Sequence, residues 1–303
     1  MDFLWPLLGA TLRIATPILL GALGETIIER AGILNLGIEG TMLLSAFSGF
    51  VAAQVTGSLY VGLAAAIATG IVLSLVLGVL TVTLGVNQHV SGLGITLFAT
   101  GLALFLFRLM YGGEQVPPKL DHGFPQLPIL TGTPLEPVFS QYALTYVALI
   151  LVPIIGWLLY RTAFGLRLRA VGENPEAADT AGINVYQMRY FALIIGGALM
   201  GLGGAFLSLA QLGAFSQGLV NGQGWIAIAI VIFGNWQPRK VLAGALLFAG
   251  LQALQLRLQA QGVALPYEAL LALPYVLTIV AIAFAGRNAS YPAALLKPYK
   301  REG

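Results

Sequence analysis

The sequence predicts an all-α, polytopic integral membrane protein. It should have about eight to ten transmembrane helices, a short polar helix on one side, and broken or re-entrant helices within the bundle. Three observations carry this. First, 58% of the 303 residues are hydrophobic and only 9% are charged, with a mean hydropathy of +0.87. A soluble domain carries roughly 25% charged residues, so lipid must be part of the solvent here. Second, long apolar runs recur along the chain, and a spanning helix needs about 20 such residues. A barrel would instead read as short alternating strands. Third, the 38 Gly suit close helix–helix approach in a bilayer.

The runs lie near 5–24, 38–54, 59–84, 92–111, 141–160, 190–211, 241–257 and 267–286, with a shorter one near 222–235. The first has no basic residue before Arg13 and no small-residue cleavage site, so it reads as a retained span rather than a signal peptide. The short run suits a half-helix, a form tolerated only inside protein. Residues 1–303 read as one transmembrane domain, since no soluble domain, long linker or low-complexity tract interrupts them.

Charge orients the bundle. Arg161, Arg167, Arg169 and Arg189 flank a polar stretch, Arg239 and Lys240 follow the short run, and Arg287, Lys297, Lys300 and Arg301 form the tail. Cytoplasmic loops collect Lys and Arg, which makes 161–189 a cytoplasmic loop and the C-terminus cytoplasmic. The loop 112–140, rich in Pro, then falls outside. The net charge of +3 gives no reason to expect nucleic acid as a partner. With no Cys, thiolate chemistry and Cys-ligated metal are excluded.

The polar stretch is "RAVGENPEAADTAGINV", Arg169 to Val185. Asn174 suits an N-cap, Pro175 the first helical position and Glu176 the first turn. Gly182 suits a left-handed stop. A helix over Pro175–Ala181 follows. Its nearly flat Ala face can either dock in another protein's groove or pack on its own domain.

This segment, "GENPEAADTAGINVYQMR", resembles the cytoplasmic coupling segment of the permease subunits of type II ABC importers, in the branched-chain amino acid, simple sugar and nucleoside group. "ERAGILNLGIEGTMLLSAFSG" (Glu29 to Gly49) and "NQHVSGLGITLFATGL" (Asn87 to Leu102) resemble two further signatures of that group, in the expected order. The resemblance spans about residues 11–286 and leans toward the nucleoside, guanosine-type permeases. It implies a partner permease, homologous or a second copy, two cytoplasmic ATPase subunits, and a substrate-binding lipoprotein or periplasmic protein. It implies a prokaryotic inner-membrane location. It also implies that Gly172, Glu173, Asn174, Ala177, Ala178, Ala181 and Gly182 meet the ATPase. No G-x-x-x-x-G-K-[ST] motif is present, so no cofactor is expected on this chain and ATP with Mg²⁺ belongs to partner subunits.

Polar residues within the apolar runs are candidates for the pathway. Asn35 and Glu39 flank Gly37 at a helix start, where a broken helix could present amides. Glu25, Glu29 and Arg30 are expected to anchor the cytoplasmic interface. "VNQHVSG" supplies Asn87, Gln88, His89 and Ser91, either as a gating segment or as a turn. "QGLVNGQGWIAIAI" supplies Gln217, Asn221, Gln223 and Trp225 among three Gly. Amides and an aromatic face suit an uncharged, polyhydroxylated planar ligand such as a nucleoside. An amino acid zwitterion calls instead for a helix N-terminus or charges. The chain also carries a weak internal echo, since "GILNLGIEG" and "GQGWIAIAI" both run from Gly and an amide into an apolar helix. A secondary transporter would need acidic residues in mid-membrane, of which Glu268 is the main candidate. An intramembrane enzyme is disfavoured by two separated His and no H-E-x-x-H.

Overall fold

A computed structural model describes residues 3–112, 118–261 and 290–300, with the isolated positions 272, 276 and 280. The expected span at 267–286, with Glu268 and Arg287, therefore lies outside the described residues, as does Arg301. Within them the chain forms seven helices long and apolar enough to cross a membrane. These are α1 (Leu4–Arg30), α2 (Ile38–Thr56), α3 (Leu59–Gly78, continued by a π-helical turn to Thr83), α4 (Gln88–Tyr111), then, after a four-residue helix α5 (Glu136–Phe139), α6 (Ala143–Arg161). The chain continues through α7 (Ala163–Glu173) and α8 (Pro175–Thr180) to α9 (Val185–Ala205, extended by π-helical turns to Leu212). It closes with a short apolar helix, α10 (Gln223–Phe233), and α11 (Pro238–Ala260).

α1, α2 and α9 form the centre, and the other spans surround them. Buried positions run almost without break from Ala15 to Glu29 in α1. α4 turns Leu97, Phe98, Phe105 and Leu109 outward. Glycine sets the central spacing. A Cβ on Gly24 would lie 2.6 Å from the carbonyl oxygen of Gly196 in α9, and one on Gly70 in α3 would lie 2.2 Å from that of Gly197. Only a residue without a side chain permits backbones this close, the small-residue logic of bilayer helices.

Two helices start inside the bundle rather than at its ends. After α1 the chain turns back, with Gly32 at φ +83. The Asn35 N–H then donates to Glu25 Oε1 at 2.8 Å, which holds Asn35 beside α1 more than a turn short of its end. Asn35 Oδ1 accepts from Gly37 N at 2.8 Å and starts α2 from there. α10 is the second case. At 11 residues it is about 16 Å long, half the roughly 30 Å of hydrocarbon. It confirms the half-helix read from the short apolar run.

The two ends of the bundle are distinct. One carries the end of α1, the α6–α9 connection, the α10–α11 turn and the tail. There Arg30 Nη2 donates to Tyr160 Oη at 3.2 Å and Ala294 N donates to the Gly172 carbonyl at 2.9 Å. The opposite end carries the α2–α3 turn and the loop after α4, whose Leu120 and Phe124 N–H groups donate to the carbonyls of Gly213 and Leu209.

Candidate functional site

The stretch from Arg169 to Val185 folds as its punctuation predicts. Asn174 is extended and its side chain accepts from Ala177 N at 3.0 Å. Pro175 opens α8, and Gly182 is left-handed at φ +81. The helix closes at Thr180, with Ala181 at the cap, one residue short of the expected end. Glu173, Asn174, Ala177, Ala181 and Gly182 are exposed, while Gly172 and Ala178 are buried. A Cβ on Gly172 would lie 2.2 Å from the Arg30 carbonyl oxygen. Five of the seven residues thus form an outward surface, and two fasten it to the bundle.

Beneath it lies a polar relay that sequence reasoning placed wrongly. Glu25 and Glu29 do not anchor an interface: they are 0% and 1% exposed. Glu25 Oε1 accepts from Asn35 N, and Glu29 Oε2 accepts from Trp236 Nε1 at 2.6 Å. Among the described residues their second oxygens, Glu25 Oε2 and Glu29 Oε1, have no donor. The cause is tertiary. Residues 31–37 fold back over Glu25, and Trp236 fills the space above Glu29. Arg30 turns to Glu173, at 3.7 Å, and its guanidinium lies over the rings of Tyr160 and Trp236. Tyr160 Oη donates to the Trp236 carbonyl at 2.8 Å. A continuous set of contacts therefore joins Glu173, beside α8, to the carboxyl end of α10. Arg189, which flanks the polar stretch in sequence, is also buried. Its Nε donates to the Ala31 carbonyl at 3.3 Å, meeting a carbonyl that the end of α1 leaves open.

At the other end of α10 lies the polar cleft. Glu39 Oε1 accepts from Gly222 N and Oε2 from Gly224 N, each at 2.8 Å. A Cβ on Gly224 would sit 2.7 Å from Glu39 Cα, so the two helix starts touch. The two segments that echo one another in sequence are thus in contact. A helix N-terminus carries positive potential and orphan N–H groups, a ready anion site. Here the chain's own carboxylate fills it. Around this point Gln217, Asn221 and Trp225 are exposed and Gln223 is half-buried. Gln223 Oε1 is buried without a donor among the described residues, and Asn221 is left-handed at φ +48.

The remaining candidates act locally. Asn35 is buried and shapes the start of α2. Asn87 caps α4 through His89 N and Val90 N. Gln88 clamps the turn after α1, accepting from Leu34 N at 2.8 Å and donating to the Gly32 carbonyl at 3.4 Å. Ser91 is buried, with no partner for Oγ among the described residues. Trp236 was missed by sequence reasoning. The signal was available in "FGNWQPRK", where an indole N–H in a turn after a half-helix requires an acceptor.

Residues 7–283 match the family described as the branched-chain amino acid transport system / permease component. The chain is 42% identical to the "Putative glucose ABC transporter permease protein TsgC13" of Haloferax volcanii, covering 100% of this chain and 99% of that one. It is 38% identical to the "Guanosine ABC transporter permease protein NupQ" of Bacillus subtilis, covering 96% and 95%. In fold it is similar to a solved structure described as "An inward-facing conformation of a putative metal-chelate type ABC transporter". That match has a TM-score of 0.53 and 18% identity, and covers 93% of this chain and 85% of that one. The chain, a multi-pass membrane protein, belongs to the branched-chain amino acid transport system / permease component family and is a permease subunit of an ABC importer.

Proposed function

We propose that this subunit forms half of an ATP-driven pathway for a nucleoside or similar uncharged, polyhydroxylated solute. The observation that carries this reading is Glu39 on the amino end of α10. Both carboxylate oxygens are spent on Gly222 and Gly224 N–H groups. A substrate carboxylate arriving there would meet a filled anion site and a like charge. A neutral ligand would meet the amides of Asn221 and Gln223 and the face of Trp225 instead. A simple sugar is the second reading, favoured by the name of the 42% identical relative.

The α7–α8 segment faces the cytoplasm in this account. Arg161, Arg167, Arg169, Arg239, Lys240, Lys297 and Lys300 belong to the elements gathered at that end, and basic residues favour the cytoplasmic side. That orientation makes the C-terminus cytoplasmic and the location the inner membrane of a prokaryote. Of two ATPase subunits, which hold ATP and Mg²⁺, one docks on the exposed face of α8 and the other on the second permease subunit. A second permease subunit completes the pathway against the cleft of Asn221 and Trp225, and a binding protein delivers the solute at the opposite end. The chain itself binds no cofactor.

Energised uptake of labelled guanosine by the complete importer tests the reading, with unlabelled uridine, glucose and leucine as competitors. Uptake blocked by uridine alone is expected. The variants Asn221→Ala and Trp225→Ala should each raise KM with the importer still assembled. Transport of leucine in place of guanosine would overturn the substrate assignment, and transport of glucose would favour the second reading.

A further inference from the structure

We propose that the groove between α6 and the start of α11 binds one anionic phospholipid from the leaflet on the α8 side of the bundle. The groove encloses about 510 Å³. Its two halves differ in chemistry in the way a phospholipid does. The half within the span is apolar, walled by Val152, Pro153 and the ring of Trp157, which is 62% exposed. Gly156 opens a slot in this wall, since a Cβ there would have nothing within 4 Å. The half at the end of the span carries Arg161, Gln237 and Arg239, all exposed.

Among the described residues no carboxylate answers those two guanidiniums. Among the described residues neither Arg161 nor Arg239 forms a salt bridge. Gln237 caps α11 through its backbone, with no side-chain hydrogen bond to the helix, so its amide is free to donate. α11 also points its positive end at this spot. The wall is preorganised: Tyr160 is fixed by its hydroxyl bond to the Trp236 carbonyl and by Arg169, whose guanidinium lies 5.0 Å from the ring centre.

Two cations, an amide and a helix amino end recognise a phosphate with net negative charge. The apolar slot beside them lies at membrane depth and takes an acyl chain, which a soluble phosphate lacks. Basic pockets between membrane helices hold acidic lipid headgroups by this combination.

The test is the phosphatidylglycerol retained per chain when the complete importer, reconstituted in mixed phosphatidylglycerol and phosphatidylcholine, is washed in detergent and weighed intact by mass spectrometry. The wild type should keep phosphatidylglycerol and release phosphatidylcholine. R161Q/R239Q should bind phosphatidylglycerol about 30-fold more weakly, two basic side chains at the membrane surface acting together. G156W, which keeps the charges and fills the slot, should lose it as well. K240Q, on the same helix but outside the groove, should keep it. Retention in G156W equal to wild type would overturn the proposal and leave only general attraction to an acidic membrane. Loss of subunit association in R161Q/R239Q with phosphatidylglycerol still bound would overturn it too, marking the groove as a protein contact.

Discussion

Single residues divide by whether their role is local. Asn174, Pro175 and Gly182 were legible because a cap acts on amides two or three positions away, and the structure places all three as read. Glu25 and Glu29 were not. Their burial depends on a fold-back of the chain and on Trp236, 207 positions from Glu29, and no local pattern records such a contact. The relay is testable at this scale. Trp236→Phe keeps an aromatic ring but removes the donor and leaves a small cavity, so Glu29 loses its hydrogen bond in a dry site. A loss of about 1–3 kcal/mol is expected, read as a lower unfolding midpoint in detergent; an unchanged midpoint would remove the bond from the account. Glu39→Ala should cost about 2 kcal/mol for a charged acceptor of two amides. Glu39→Gln should fall between it and wild type, because its single amide oxygen still accepts. Equal midpoints for both variants would contradict the two-bond geometry.

At the scale of elements, seven of the eight long apolar runs correspond to the described spans, and the short run to α10 as a half-helix. Their lengths were less legible. The first run, 5–24, became the 27-residue α1 because Glu25, Thr26 and Glu29 look polar in sequence yet lie against other helices. Glycine spacing explains which helices meet. Gly24→Leu would push a side chain into the Gly196 carbonyl, where neither backbone can yield without moving a central helix. Overpacking of this kind costs about 1–3 kcal/mol. The amount of assembled importer recovered from membranes should fall, while Gly94→Leu, at a position with nothing within 4 Å, should leave it unchanged.

For the whole molecule, the arrangement gives each end of α10 a different neighbour. Its amino end meets Glu39 and the polar cleft; its carboxyl end meets Trp236, Glu29 and Arg30, and through Glu173 the α8 surface. A movement imposed on α8 therefore has a packed route to the cleft, through contacts that are fixed rather than fluid. This long-range joining was the least legible part of the sequence, since it links residues from four separate segments. The account depends on α8 being the surface that the ATPase grips. The chain has no Cys of its own, so Ala181→Cys offers a single reactive site at the exposed carboxyl-terminal cap of α8. The decisive measurement is its cross-linking to the ATPase subunit in intact membranes. The account expects a cross-link that changes in yield with ATP, and no labelling by an impermeant maleimide added outside the cell. Labelling from outside, with no cross-link to the ATPase, would contradict it.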